Sequence, residues 1–215
     1  MHKSHKSELR KLILSSRQHN IHIDNLINQQ LLLLFQELKP TAITAYISIK
    51  NEVNILPAIQ YCWQQGIAVY VPSVVGKKQP LIFKLWNPDN KLVHGVYGTI
   101  EPDNNANTIN INDMMNIDIM LVPSVGVFIE KSSIYRLGYG GGFYDMTIAG
   151  AKGCKSKFKT VAILHNDYVF CDELTTLNKY QQKYQGLCGE ICENEIVESH
   201  DVTFDMLVTP SFIIR

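Results

Sequence analysis

The chain has no excess charge of either sign. Its 20 Lys and Arg residues balance its 20 Asp and Glu, giving a formal net charge of zero. A bulk nucleic-acid binder would carry an excess of positive charge, so that class is disfavoured and only local basic patches remain open. Long apolar runs are also missing. The longest, Leu31 to Phe35, falls far short of the ~18 residues that a membrane-spanning helix requires, and residues 1–20 hold no apolar stretch of signal-peptide length. Cysteine is sparse and odd in number: five, at positions 62, 154, 171, 188 and 192. That scatter is not a secretory disulfide framework and suggests a reducing compartment. The expected location is therefore the cytoplasm, with neither nucleic acid nor membrane as partner. No Ser or Cys can be matched to His165 or His200, so a hydrolytic triad has no support.

What is present is ordinary globular composition, 46% hydrophobic and 19% charged, which excludes wholesale disorder, collagen and coiled coil. A length of 215 residues suits a single domain over residues 1–215, able to bury ~70–75% of its unfolded surface without staples.

Apolar spacing organises the chain. Leu9, Leu12 and Ile13 share one helical face, and Ile27, Leu31, Leu34, Phe35 and Leu38 share another, stopped by Pro40. Two amphipathic helices are thus expected within 6–39. A strand is expected from Ala42 to Ile49, then a helix marked by Ile55, Ile59, Cys62 and Trp63 and ended by Gly66. Further strands are expected at Ile67–Val75, Leu81–Trp86, Ile117–Pro123 (a central one), Thr160–His165 and Phe204–Thr209. Asn87–Asn90 reads as a turn and Asp103–Asn116 as a polar surface loop. Strands separated by helical patterns make this an α/β chain with parallel pairings. Leu174–Val197 is polar and reads as an insertion, helical or partly disordered.

The strongest chemical feature is Arg136-Leu-Gly-Tyr-Gly-Gly-Gly-Phe-Tyr-Asp145, with glycines at 138, 140, 141 and 142. Glycine lets backbone N–H groups converge without side-chain obstruction, and such a nest opening a helix binds phosphate. Arg136 adds a fork for phosphate oxygens, and Asp145 is placed to hold Mg²⁺ beside them. The alternative, a plain glycine turn, needs neither four glycines nor flanking Arg and Asp. The segment is not a P-loop, because no Gly-Lys-Ser/Thr follows, and it lacks the dinucleotide spacing Gly-x-Gly-x-x-Gly.

Lys6, Arg10 and Arg17 fall on one helical face and could meet a triphosphate or form a solvated stripe. Glu52, Tyr97, Phe143 and Tyr144 are the groups a flat heteroaromatic ligand would use, through stacking and a carboxylate for ring N–H donors. Taken singly, each such residue more often serves core or surface than a ligand. Cys188 and Cys192 form a Cys-x₃-Cys pair. Zinc there would have to recruit Cys171, His165 or His200, and two ordinary thiols are the simpler reading.

Leu121-Val-Pro123 followed by the glycine stretch resembles the signature of the 5-formyltetrahydrofolate cyclo-ligase (5,10-methenyltetrahydrofolate synthetase) family. The resemblance extends to Lys6-Ser-Glu-Leu-Arg10, Ser48-Ile-Lys-Asn-Glu52-Val, Gly98-Thr-Ile-Glu101-Pro102, Glu198-Ser-His-Asp201-Val and Val208-Thr209-Pro210, in the family's order. It implies a Rossmann-like three-layer α/β/α domain with a mostly parallel sheet. It implies ATP-dependent conversion of 5-formyltetrahydrofolate to 5,10-methenyltetrahydrofolate with Mg²⁺ as cofactor; the expected partners are these small molecules, and a monomer is expected.

By the same resemblance, Lys6, Arg10, Arg136, Gly138, Tyr139, Gly140, Gly141, Gly142, Phe143, Tyr144 and Asp145 carry ATP, with Arg136 and Lys6 catalytic. Asp145 and Asp201 hold the metal, and Ile47, Glu52, Tyr97 and Tyr144 contact the folate. The chain departs from the family pattern at Met146, where many members have Arg. Phe143 replaces a common Tyr, the link from Phe128 to Arg136 is lengthened, and an insertion follows Leu174. Two other readings predict different behaviour. A non-catalytic nucleotide or folate binder of the same fold would bind without turnover. An isomerase or CoA transferase would need no ATP and would use Glu52 or Glu101 as base.

Overall fold

A computed structural model describes residues 2–103, 105–130, 132–154, 157–171 and 201–215. The proposed insertion at 174–197, with Cys188 and Cys192, lies outside the described residues, as does His200. Helices α1 (His2–Ser16) and α2 (Ile21–Leu38) lead into strand β1 (Ala42–Thr44), helix α3 (Leu56–Gln64) and strands β2 (Ala68–Ser73) and β3 (Ile82–Leu85). A hairpin of β4 (Leu92–His94) and β5 (Ile100–Pro102) follows, then β6 (Thr108–Ile109), β7 (Ile119–Pro123), β8 (Gly126–Glu130) and β9 (Ser133–Leu137). Helix α4 (Phe143–Gly153), β10 (Lys159–Ile163), β11 (Val169–Cys171), β12 (Thr203–Phe204), β13 (Met206–Val208) and β14 (Ile213–Ile214) complete the order.

Among the described residues the main sheet runs β14-β13-β10-β7-β1-β2-β3-β6. Its middle, β13-β10-β7-β1-β2, is parallel throughout, and antiparallel strands close both edges. The expected α/β class with a mostly parallel sheet is what forms. The two-residue alternation of a strand sorts the core into two faces. Ile43, Val69, Val71, Ile119, Leu121, Val161, Ile163, Met206 and Val208 pack under α2 and α3. Met120, Val122, Ala162 and Leu207 face the other way, toward α1, α4 and a second sheet of order β11-β8-β9-β12. Strand β7 is buried along its whole length because both faces are covered.

Local chemistry sets the helix limits. The Asn20 side chain accepts from the His22 and Ile23 amides at the start of α2, and Lys39 turns left-handed (φ 47°) at its end, before Pro40. Helix α4 has no side-chain cap at its N-terminus. Gly142 stands there at φ 66°, so the first-turn N–H groups remain available.

Three expectations need correction. The strand expected over 42–49 ends at Thr44: the Ala45 amide still donates to the Tyr70 carbonyl of β2, and the chain then leaves the sheet to form the loop before α3. The polar stretch 103–116 is not a plain loop: it supplies edge strand β6 and buries Met114 in a short helical turn. The apolar run 204–209 breaks at Asp205, whose carboxylate accepts from the Thr160 amide and hydroxyl at 2.8 and 2.7 Å. The lengthened link from Phe128 to Arg136 is built into the antiparallel strands β8 and β9, with Glu130 opposite Ser133.

Candidate active site

In a parallel α/β sheet, ligands bind beyond the carboxyl ends of the strands where the winding reverses. Here the chain goes from β1 outward to β2, then returns to lay β7 on the other side of β1. The crevice therefore opens beyond Thr44 and Pro123. Glu52 lies in the loop that follows β1, and Arg136 Nε donates to the Pro123 carbonyl at 3.2 Å.

The glycine loop joins β9 to α4, so Arg136 is fixed on a strand while its side chain lies under the loop. A Cβ on Gly138 would stand 2.5 Å from both terminal nitrogens of Arg136, so only glycine leaves room for the guanidinium. The Arg136 side chain is buried, its guanidinium carbon 5.3 Å from the Tyr144 ring centroid. Its Nη1 has no hydrogen-bond partner and lies 3.7 Å from Asp145 Oδ2. From α1, Arg10 Nε donates to the Gly138 carbonyl at 2.6 Å, and its guanidinium lies against Gly140. Burial, and then the charge of Arg136, hold the Arg10 pKa below its usual value. Two guanidinium groups crowded beside an uncapped helix start form a basin that an anion would relieve. Gly140 (φ 103°) and Gly142 (φ 66°) adopt backbone conformations that favour glycine.

Lys6 and Asp201, expected at ATP and metal respectively, face each other, with Nζ to Oδ2 at 2.6 Å. This pair ties α1 to the C-terminal segment. Glu52 is buried. Its Oε2 accepts from the Ile49 amide at 2.9 Å, and the Tyr139 hydroxyl faces the same carboxylate. Burial lifts the Glu52 carboxyl above its ordinary range, against those two donors and Arg17. Tyr139 thus reaches from the glycine loop to the carboxylate expected at the folate. Burial likewise raises the phenols of Tyr139 and Tyr144, and the Tyr144 hydroxyl is buried without a hydrogen-bond partner. Ile47 is half-buried against the α2–α3 side of the core. Tyr97 sits at the tip of the β4–β5 hairpin, its ring 5.9 Å from that of Phe143 in the glycine loop.

Arg17 does not join Lys6 and Arg10. It follows the end of α1, donates through Nη1 to the Ser124 carbonyl at 3.1 Å and lies over the Tyr168 ring. Helical spacing cannot extend to a residue beyond the helix. The His165 side chain accepts from the Asp167 amide at 3.2 Å. Among the described residues no three His, Cys, Asp or Glu gather as a metal-binding group. Glu101, a base candidate under the isomerase reading, is paired with Lys84. Sequence reasoning missed the Pro123 carbonyl, which orients Arg136, and the Tyr139–Glu52 link. Neither leaves a local signal, since each depends on which strands become neighbours. No helix among the described residues is long and apolar enough to cross a membrane.

Comparison with known proteins agrees with this geometry. The model of the 5-formyltetrahydrofolate cyclo-ligase family matches residues 2–174. A 5-formyltetrahydrofolate cyclo-ligase of Haemophilus influenzae is 31% identical over 147 residues, covering 66% of this chain and 75% of its own length. A probable 5-formyltetrahydrofolate cyclo-ligase of Schizosaccharomyces pombe is 26% identical over 170 residues, covering 77% and 72%. Two solved 5,10-methenyltetrahydrofolate synthetases share the fold at 23% identity. That of Mycoplasma pneumoniae has a TM-score of 0.65 (96% of this chain, 99% of that one), and that of Aquifex aeolicus 0.68 (98% and 92%). Fold, glycine loop and the match across most of its length together place this chain in the 5-formyltetrahydrofolate cyclo-ligase family of enzymes.

Proposed function

We propose that the chain converts 5-formyltetrahydrofolate and ATP into 5,10-methenyltetrahydrofolate, ADP and phosphate. The observation that carries this reading is the basin formed by Arg10, Arg136 and the uncapped start of α4, lying beside buried Glu52. A phosphate-binding end and a carboxylate for ring N–H donors then share one crevice.

The formyl oxygen is a poor leaving group and needs activation. Its lone pair attacks the γ-phosphorus, ADP departs, and the formyl carbon becomes electrophilic. N10 of the same folate attacks that carbon and loses its proton. The C–O bond breaks and phosphate leaves. No protein nucleophile is needed. The protein's task is to position the reactants and to stabilise charge on the transferring phosphoryl group. Arg136, held by the Pro123 carbonyl and Tyr144, supplies fixed positive charge and an unpaired N–H. Arg10 supplies a second cation, and the loop amides accept the anion without side-chain interference. Glu52 orients the ring system, and Tyr97 with Phe143 provides aromatic surface.

Asp145, partly exposed beside Arg136, and Asp201 beside Lys6 offer hard oxygen donors that suit Mg²⁺ bound jointly with phosphates. Bound there, Mg²⁺ would neutralise phosphate charge. Lys6 would exchange its Asp201 contact for a phosphate oxygen.

The test is to mix the purified protein with ATP, Mg²⁺ and 5-formyltetrahydrofolate and follow methenyltetrahydrofolate by near-ultraviolet absorbance. An ATP-dependent rise supports the reading. Binding of both ligands with no rise indicates a non-catalytic binder, and no binding of either refutes both.

A further inference from the structure

The β4–β5 hairpin forms its own two-stranded sheet, and its tip approaches the glycine loop. The tip is tightly made. The Gly95 amide donates to the Thr99 carbonyl at 2.9 Å, and the Thr99 hydroxyl to the Val96 carbonyl at 2.8 Å. Between them Tyr97 adopts φ 62° and ψ 23°, the left-handed region that a bulky residue enters only when its surroundings impose it. Its side chain gains nothing from burial, since Tyr97 is 58% exposed, yet its ring stands against Phe143.

Beneath the tip lies a buried charge. Glu101 on β5 accepts from Lys84 Nζ at 3.1 Å through Oε1, and the same ammonium donates to the Pro102 carbonyl at 3.2 Å. Lys84 belongs to β3 of the main sheet, so the pair fastens the hairpin to the scaffold that carries the crevice. The carboxyl group also presses on the tip. A Cβ on Gly95 would stand 3.0 Å from the Glu101 carboxyl carbon, 3.1 Å from Oε2 and 2.6 Å from Thr99 Oγ1. Glu101 Oε2 is itself buried without a hydrogen bond. A buried ion pair with an unsatisfied oxygen is a poor way to gain stability, because apolar residues of similar volume often do as well or better. What the pair provides is a defined geometry.

We infer that Glu101 is a positioning residue: held by Lys84, it sets the Gly95–Thr99 tip so that Tyr97 stands against Phe143 and walls the ligand crevice. The inference rests on the proposed function for the ligand that the wall faces. Glu101 touches no reacting atom and acts through Tyr97.

The test is a double-mutant cycle with Glu101→Gln, Tyr97→Ala and the double variant, read as KM for 5-formyltetrahydrofolate, kcat and Tm. Glu101→Gln keeps size and an acceptor for Lys84 but removes the charge. The expected result is a rise in KM of about tenfold in each single variant with little change in kcat, and a double variant no worse than Tyr97→Ala alone. An unchanged KM in Glu101→Gln overturns the inference, as do effects that multiply in the double variant. If Glu101→Gln does not fold, Gly95→Ala perturbs the same tip from the other side and is expected to give the same KM shift; a wild-type KM in that variant overturns the inference. Amide hydrogen exchange over 95–99 needs no substrate. It is expected to speed up in the Glu101 or Gly95 variant while β7 and β10 stay protected, and unchanged exchange also overturns the inference. A wild-type protein that does not turn over 5-formyltetrahydrofolate would refute the proposed function, and the exchange result would then decide the positioning role alone.

Discussion

The Arg136 guanidinium fills the space that a side chain on Gly138 would need: both terminal nitrogens lie 2.5 Å from the position of a Cβ there. Gly138→Ala is therefore expected to displace Arg136 from the Pro123 carbonyl and the Tyr144 ring. A misplacement of this size in a phosphoryl-transfer site costs roughly a hundredfold in kcat/KM. The fold should hold, since the far end of a side chain moves and not the backbone. Initial rates with a thermal melt check both; a variant with normal rates contradicts the arrangement.

Arg10→Ala and Arg136→Ala are each expected to raise KM for ATP about tenfold to a hundredfold, the worth of one charge-assisted hydrogen bond. Arg17→Ala separates the basin from general basicity. Arg17 points to Ser124 and Tyr168, so its loss is expected to lower stability while leaving KM for ATP near normal. Nucleotide titrations of the three variants distinguish these roles.

Tyr139→Phe tests the link between the loop and Glu52. Burial raises the Glu52 pKa, while the Ile49 amide, the Tyr139 hydroxyl and Arg17 oppose the rise. A carboxyl with a higher pKa folded than unfolded binds more protons in the folded chain, so stability falls as pH climbs from the unfolded to the folded value. Removing the hydroxyl raises the folded pKa further. The acid limb of kcat/KM for 5-formyltetrahydrofolate is expected to move to higher pH, and the loss of Tm between acid and neutral pH to grow. Superimposable pH profiles for wild type and variant would contradict a working contact.

Asp145→Asn keeps the shape of the side chain and removes its charge. The Mg²⁺ concentration for half-maximal rate is expected to rise roughly tenfold or more, as when a metal site loses a supporting group. An unchanged Mg²⁺ titration removes Asp145 from the metal site.

Leu121→Ala probes the scaffold. Leu121 is fully buried on β7, between β10 and β1. The cavity is expected to cost about 2–5 kcal/mol in denaturant unfolding. The variant's catalytic constants below its melting range should stay near wild type, since Leu121 faces α2 and α3 and not the crevice.

Much of this was legible in the chain alone, for a local reason. A helix shows its buried face every three or four residues and a strand every two, so Ile27, Leu31, Leu34 and Phe35 define α2, and Ile119 to Pro123 define β7, wherever they end up packing. Closely spaced glycines before a helix likewise record a backbone that must approach something, and with Arg136 and Asp145 beside them they mark the end of the site proposed here for phosphate. The limits of that record are local too. Val69 and Val71 alternate with half-buried neighbours over only six residues of β2, and Ala45 to Ile49 are apolar enough to read as strand although they lie in the loop between β1 and α3.

The chain by itself thus determined its first three helices and most of the core of its main sheet, its glycine loop and its family, because each is written in contiguous residues. The tertiary structure alone decided which remote groups meet. It set Tyr139 on Glu52, Tyr97 against Phe143, Lys6 on Asp201 and Arg17 away from the basin. Those pairings follow from strand order and from the reversal between β1 and β7, which bring residues dozens of positions apart together. Such contacts depend on packing of the whole sheet, and no local spacing encodes them.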